Sequence, residues 1–195
     1  MVLGVTGKYC AGKSAVTELL AGCGWHTIDV DSLGHVALQQ KRQEVLQRFG
    51  RELDDGVGSI DRKRLGAIVF RNRTALRYLE SILHPAMVAM VDEELAAREG
   101  VSVAINAALL YPMGLAERCD RVVWVKAGFW SRFRRARLRD GIGLAEMIRR
   151  ERAQKRISPQ FYRVDVDIVT VENRGDPAAL ERSVKQIAAQ SEAKQ

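Results

Sequence analysis

The sequence predicts an α/β fold, a five-stranded parallel sheet with helices on both faces. Two observations predict it. A short apolar run at the N-terminus leads directly into a glycine-rich loop and then into helix-compatible sequence. Further short apolar runs recur along the chain with helical stretches between them. Strands alternating with helices build a parallel sheet through right-handed crossovers, which place helices on both faces.

Val2-Leu3-Gly4-Val5 reads as a buried first strand. A helix is expected from Ser14 to Leu20, followed by turn residues at Gly22 and Gly24. The second strand lies within Trp25 to Val30, and Asp31 or Ser32 can cap the helix after it. From Ser32 to Arg98 the pattern is mostly helical, with Leu76, Leu79, Ile82 and Leu83 at helical spacing. Pro85 is expected to break or kink that pattern before Val88, Val91 and Leu95 resume it. Val101 to Ile105, Arg121 to Lys126 and Asp167 to Val171 supply the remaining strands, and a helix from Pro177 to about Ala189 follows. The chain is read as a single domain, 1–195, with two additions. A helical region at about 32–100 exceeds what a crossover needs and suits substrate binding. A pair of helices broken at Gly141-Ile142-Gly143 forms a lid at about 128–158.

Hydrophobic residues make up 47% and charged residues 28% of 195, as in an ordinary globular protein. No apolar run approaches the roughly 18–20 residues that span a bilayer, and no basic segment precedes a leader-like apolar one. A cytoplasmic protein without a membrane partner is expected. Cys10, Cys23 and Cys119 are odd in number and scattered, forming neither a disulfide framework nor a zinc pattern. Unpaired thiols suit a reducing compartment. His26, His35 and His84 have no metal-binding spacing. The net charge of +7 suits a polyphosphate as well as nucleic acid, and much of it lies between Arg132 and Arg156.

Gly7-Lys8-Tyr9-Cys10-Ala11-Gly12-Lys13-Ser14 completes the pattern G-x-x-x-x-G-K-[ST]. Its place between a strand and a helix is what the chemistry requires, because loop N–H groups and the helix N-terminus together cradle phosphate oxygens. ATP binding is thus assigned to Gly7, Cys10, Ala11, Gly12, Lys13, Ser14 and Ala15. Lys13 supplies charge to the β and γ phosphates, and the Ser14 hydroxyl can ligate Mg2+. Lys8 and Tyr9 stand where many such loops have small residues. Asp29-Val30-Asp31 ends the second strand, at the edge of a parallel sheet where ligands bind. A carboxylate there can take the proton of an attacking hydroxyl, but Asp31 is equally a good helix cap. In the arginine stretch, Phe129, Phe133 and Ala136 can share a face that leaves most arginines off it. Arg139, favoured, and Arg135 are candidates to neutralise the moving phosphoryl group, against the alternative of a solvated basic face.

Gly4-Val5-Thr6-Gly7, Ile28-Asp29-Val30-Asp31 and Leu83-His84-Pro85 together resemble dephospho-CoA kinase, whose family reads G-L-T-G, I-D-A-D and L-H-P in these places. Leu109-Leu110-Tyr111, Cys119-Asp120-Arg121-Val122-Val123, the lid residues Arg135, Arg139-Asp140-Gly141, Arg150 and Gln154, and finally Asn173 continue the resemblance in order along essentially the whole chain. It implies a P-loop kinase fold and transfer of a phosphoryl group from ATP to the ribose 3′-hydroxyl of dephospho-CoA, the last step of coenzyme A synthesis. It implies Asp31 as the catalytic aspartate beside Lys13 and Arg139, and Asn173 as an ATP contact. His35, His84 and Arg135 become candidate substrate contacts. Asn106, Ala108 and Pro112 depart from the family's aspartate, proline and glutamate, and Lys126 replaces an aspartate after the fourth strand. Rival readings are a kinase of another small metabolite, such as a nucleoside, and a P-loop protein that binds nucleic acid through its arginines. A GTPase would need D-x-x-G after the third strand, where Asn106-Ala107-Ala108-Leu109 stands. No nucleic-acid partner is expected, because aromatics are sparse among the arginines.

Overall fold

The structure, a computed structural model, describes residues 1–155, 157–162 and 164–192. Arg156, the end of the arginine-rich stretch, lies outside the described residues. The elements in chain order are β1 (Val2–Gly7), α1 (Lys13–Gly22), β2 (His26–Asp29), α2 (Val30–Gln40), α3 (Arg42–Phe49), α4 (Arg62–Val69), α5 (Arg73–Ala96), β3 (Val103–Asn106), β4 (Arg121–Lys126), α6 (Phe129–Asp140), α7 (Leu144–Ala153), β5 (Asp167–Glu172) and α8 (Pro177–Glu192). The five strands form one parallel sheet in the order β2-β3-β1-β4-β5. The N-terminal apolar run is therefore the central strand, where the strand order reverses and a ligand crevice opens at the carboxyl edge.

The chain divides into two compact units, Met1–Asp29 with Arg98–Gln195, and Val30–Ala97. In the first, Leu3, Val5, Val123, Val125 and Val171 are buried at alternate strand positions, so they share one face of the sheet. Val16 and Leu20 of α1 and Leu180, Val184 and Ile187 of α8 close over that face. Gly4 faces the opposite side, where Leu110 and Cys119 press close to the sheet. In the second unit, α2 to α5 gather Leu38, Val45, Leu46, Leu65 and Leu79 into a core of their own.

Two local expectations are corrected. Of the break or kink expected at Pro85, the break does not occur, because α5 runs on through 24 residues from Arg73 to Ala96. Proline removes the bond to the carbonyl of Ser81, but both residues are solvent-exposed, so water can take the freed carbonyl. Buried Leu79, Met87 and Val91 hold the helix on either side, and packing of this kind outweighs one lost bond. Neither Asp31 nor Ser32 is a helix cap: α2 begins at Val30, directly after β2, and Asp31 sits in its first turn. An acid there meets the positive end of the helix dipole. Between the lid helices, Gly141 adopts the left-handed conformation (φ 67°) that commonly ends a helix.

A methyl group on Gly4 would lie 2.7 Å from Leu110 Cδ2 and 2.8 Å from Cys119 Sγ. Overpacking of a filled core costs about 1–3 kcal/mol. Gly4→Ala is expected to lower Tm by about 2–4 °C per kcal/mol lost. A thermal melt checks this; an unchanged Tm would mean that both neighbours yield freely.

Candidate active site

The phosphate loop joins the end of β1 to the start of α1. Its turn demands unusual backbone. Gly12 has φ 102°, and a Cβ there would run into the side-chain amide of Asn173. Cys10 has φ 57° and is the non-glycine residue at positive φ among those described. Successive residues of opposite hand turn their N–H groups toward a common centre, which makes an anion-binding concavity. The loop's carbonyls still need donors. Arg135 of α6 gives Nη1 to Ala11 O at 3.1 Å and to Cys10 O at 3.4 Å. Asn173, buried after β5, gives Nδ2 to Ala11 O at 3.0 Å. Arg135 Nη2 in turn donates to Asn173 Oδ1 at 2.7 Å, and the Asn173 N–H is fixed on Lys126 O at 2.8 Å.

Lys13 Nζ donates to Gly7 O at 3.4 Å, and Ser14 is exposed at the start of α1. Cys10, Gly12, Lys13 and Ser14 form one wall of a cleft of about 460 Å³; Arg135, Leu138 and Arg139 of α6 form the other. Gly7 is buried at the strand end, and Ala15 is half-buried behind the loop. The structure thus brings the loop, Arg135 and Arg139 to one cleft, with Asn173 bonded to the loop and to Arg135.

Lys8 and Tyr9 dock the loop to α6 and α7. The Tyr9 hydroxyl donates to Asp140, and its backbone N–H donates to Gln154 Oε1 at 2.8 Å. The guanidinium groups of Arg150 and Arg139 lie over the Tyr9 ring, 4.4 and 5.4 Å from its centre, within cation–π range. Burial and the Asp140 contact push the Tyr9 hydroxyl's pKa upward. Hydrogen bonds from Arg139 and then Tyr9 hold Asp140 down at about 2, and Asp140 raises Arg139 above the ordinary guanidinium value. Beside this cluster, Lys8 pairs with Glu151 at 2.5 Å, and Glu151 takes Arg132 Nη2 at 2.7 Å. Burial works to raise the Glu151 pKa, but Lys8 and Arg132 outweigh it and keep the group ionised.

Sequence reading missed Glu151; the available signal was its position as a lone acid between Arg149, Arg150 and Arg152. Most arginines of α6 lie off its buried face as expected, and Arg132, only 3% exposed, is the one on it. Its burial is possible because Glu151 neutralises it and the Ala127 carbonyl accepts its Nε–H at 3.1 Å.

The other expected site residues belong to the helical unit. Asp31 and His35 are exposed and one turn apart on α2, a spacing that puts them on the same side of the helix. His84 is half-buried in α5, where burial lowers its pKa against the opposing charge of Glu80. At the end of β3, in the sheet unit, Asn106 is buried and its Oδ1 has no hydrogen-bond partner among the described residues.

A family model described as dephospho-CoA kinase matches residues 1–176. The chain belongs to the dephospho-CoA kinase family. The dephospho-CoA kinase of Geobacter sulfurreducens is 34% identical over 192 residues, covering 95% of this chain and 96% of that protein. The crystal structure of TT1252 from Thermus thermophilus aligns with a TM-score of 0.81 and 31% identity over 97% of each chain. Dephospho-CoA kinase from Campylobacter jejuni shares the fold at a TM-score of 0.70, with 23% identity over 97% of this chain and 96% of that one. These similarities make this chain an ATP-dependent kinase with the P-loop kinase fold. Among the described residues, no helix is long and apolar enough to cross a membrane.

Tyr9→Ala is expected to loosen the lid, raising amide hydrogen exchange in α7 by about tenfold or more, because it removes the ring and the hydroxyl together. Tyr9→Phe keeps the ring and should have a smaller effect. Unchanged exchange in both variants would mean that the loop does not hold the lid.

Proposed function

We propose that the chain transfers the γ-phosphoryl group of ATP to the ribose 3′-hydroxyl of dephospho-CoA. The observation that carries this reading is the phosphate loop with its carbonyls held by Arg135 and Asn173, within a chain that matches the family over residues 1–176. The loop N–H groups and Lys13 bind the β and γ phosphates. Leu138 offers an apolar wall to the nucleotide, and Arg135 orients it from the opposite side of the loop. Arg139, on the cleft wall, neutralises charge that spreads over the phosphoryl oxygens during transfer. Asp31 receives the proton of the attacking hydroxyl, and His35 and His84 contact the acceptor.

Mg2+ fits the residues present. The exposed Ser14 hydroxyl, at the start of α1 behind the phosphate loop, is a hard oxygen donor suited to it. At sites of phosphoryl transfer Mg2+ is held by one or two side-chain oxygens together with substrate phosphates and water. When bound, the ion supplies charge neutralisation at the β and γ phosphates.

The arginine stretch supports the kinase over a nucleic-acid binder. Arg132, Arg139, Arg149 and Arg150 are engaged by Glu151, Asp140 and Glu146. A stripe for a nucleic-acid backbone would leave such charges free for phosphates. The three free cysteines accord with a cytoplasmic setting.

Asp31→Asn should reduce kcat with dephospho-CoA by about 100-fold or more while the KM for ATP changes little, as loss of a general base does. Because Asp31 sits within the first turn and not at the cap, the stability change should be small. A steady-state assay decides. An unaltered kcat would remove Asp31 from the chemistry.

A further inference from the structure

A second hollow, of about 370 Å³, shares no lining residue with the cleft of the phosphate loop. Lys8 lines it from the loop, Trp124 and Lys126 from the end of β4, Arg132 from α6, and Lys155 and Phe161 from the segment after α7. Four of these six side chains are cationic. Glu151 engages two of them, Lys8 and Arg132, and Glu172 lies 4.0 Å from Lys126. The hollow therefore has more positive charge than its own carboxylates neutralise.

Arg132 makes this more than a basic surface. It is 3% exposed, with Nε on the Ala127 carbonyl and Nη2 on Glu151. Its Nη1 is buried with no hydrogen-bond partner among the described residues. A buried charged donor without an acceptor is costly, so such a group in a lined hollow points to a ligand that accepts from it. Trp124 and Phe161 add apolar surface to the lining, although Phe161 is itself exposed. Guanidinium and ammonium donors set at different angles around one space suit the several oxygens of a phosphate ester.

We propose that this hollow binds the diphosphate of the acceptor. The inference rests on the reading of dephospho-CoA as that acceptor, a molecule with a diphosphate of its own beside the ribose that is phosphorylated. The ATP phosphates occupy the loop, and a second diphosphate requires a second set of cations. Arg132 fixes one end of the group through Nη1, while Lys126 and Lys155 close over it from the solvent side.

The test uses the double variant Lys126→Ala/Lys155→Ala of the full chain, both residues being exposed and outside the loop. With the ATP site saturated by a non-hydrolysable analogue and Mg2+, inorganic pyrophosphate is titrated by calorimetry. The wild type should bind it, and the double variant about tenfold more weakly, the scale of a lost charged hydrogen bond. In steady-state assays the KM for dephospho-CoA should rise by about the same factor, with the KM for ATP changing less than about twofold. Equal pyrophosphate affinity in the two proteins overturns the proposal. So does a rise in the ATP KM alone, which would assign the hollow to the donor. If the wild type does not phosphorylate dephospho-CoA, the functional reading fails and takes the acceptor assignment with it. The pyrophosphate titration still decides whether the hollow is an anion site.

Discussion

The site depends on one constraint: a loop that offers its N–H groups to phosphate must have its carbonyls held by other donors. Here Arg135 and Asn173 meet that need at Cys10 and Ala11, and each also fixes the other. The parallel sheet makes the arrangement possible. With β1 central, and β4 and β5 beside it in order, the carboxyl ends of all three strands share one edge. Asn173 follows β5 there, α6 follows β4, and the loop follows β1. Gly12 is required in the same geometry, because a side chain at that position would displace the Asn173 amide.

A loop held this way can carry larger residues on its outer side. Lys8 and Tyr9 reach from the loop to Glu151 of α7 and Asp140 of α6. The network is ionic and aromatic, so its pH response can be signed. Asp140 has its folded value depressed to about 2. Its contribution is fully present above the unfolded carboxylate value of about 3.9 and is lost as pH falls toward about 2. Near neutral pH the contacts between loop and lid are therefore insensitive to small changes. Asp140 is partly exposed to solvent, so salt screens its contribution.

Much of this was legible in the residues. The five strands, the phosphate loop and the helix pair broken at Gly141-Ile142-Gly143 all carry local signals of apolar runs, glycine positions and spacing. Asn173 was reached through resemblance, since nothing local marks an asparagine after a strand as a partner for a loop 162 residues away. The misses share that cause. Lys8 meets Glu151 across 143 residues, and Arg132 is buried because of a carboxylate on another helix. Pro85 misled because helix-breaking is a local tendency that packing and solvent exposure overrode. The start of α2 came earlier than its capping signals, because the chain turns from β2 into the helix without a loop. The roles of Asp31, His35 and His84 rest on sequence resemblance and on their places in the helical unit.

Everything at the site serves transfer of the phosphoryl group, and the proposed acceptor is dephospho-CoA. The most direct measurement compares steady-state ATP consumption with dephospho-CoA, adenosine and shikimate as acceptors under one set of conditions. An enzyme that reads the acceptor's diphosphate and pantetheine arm uses that binding to position the reacting hydroxyl. The kcat/KM for dephospho-CoA is expected to be at least about 1,000-fold above that for adenosine, with no turnover of shikimate above background. Equal kcat/KM for dephospho-CoA and adenosine, or preferred use of shikimate, would contradict it.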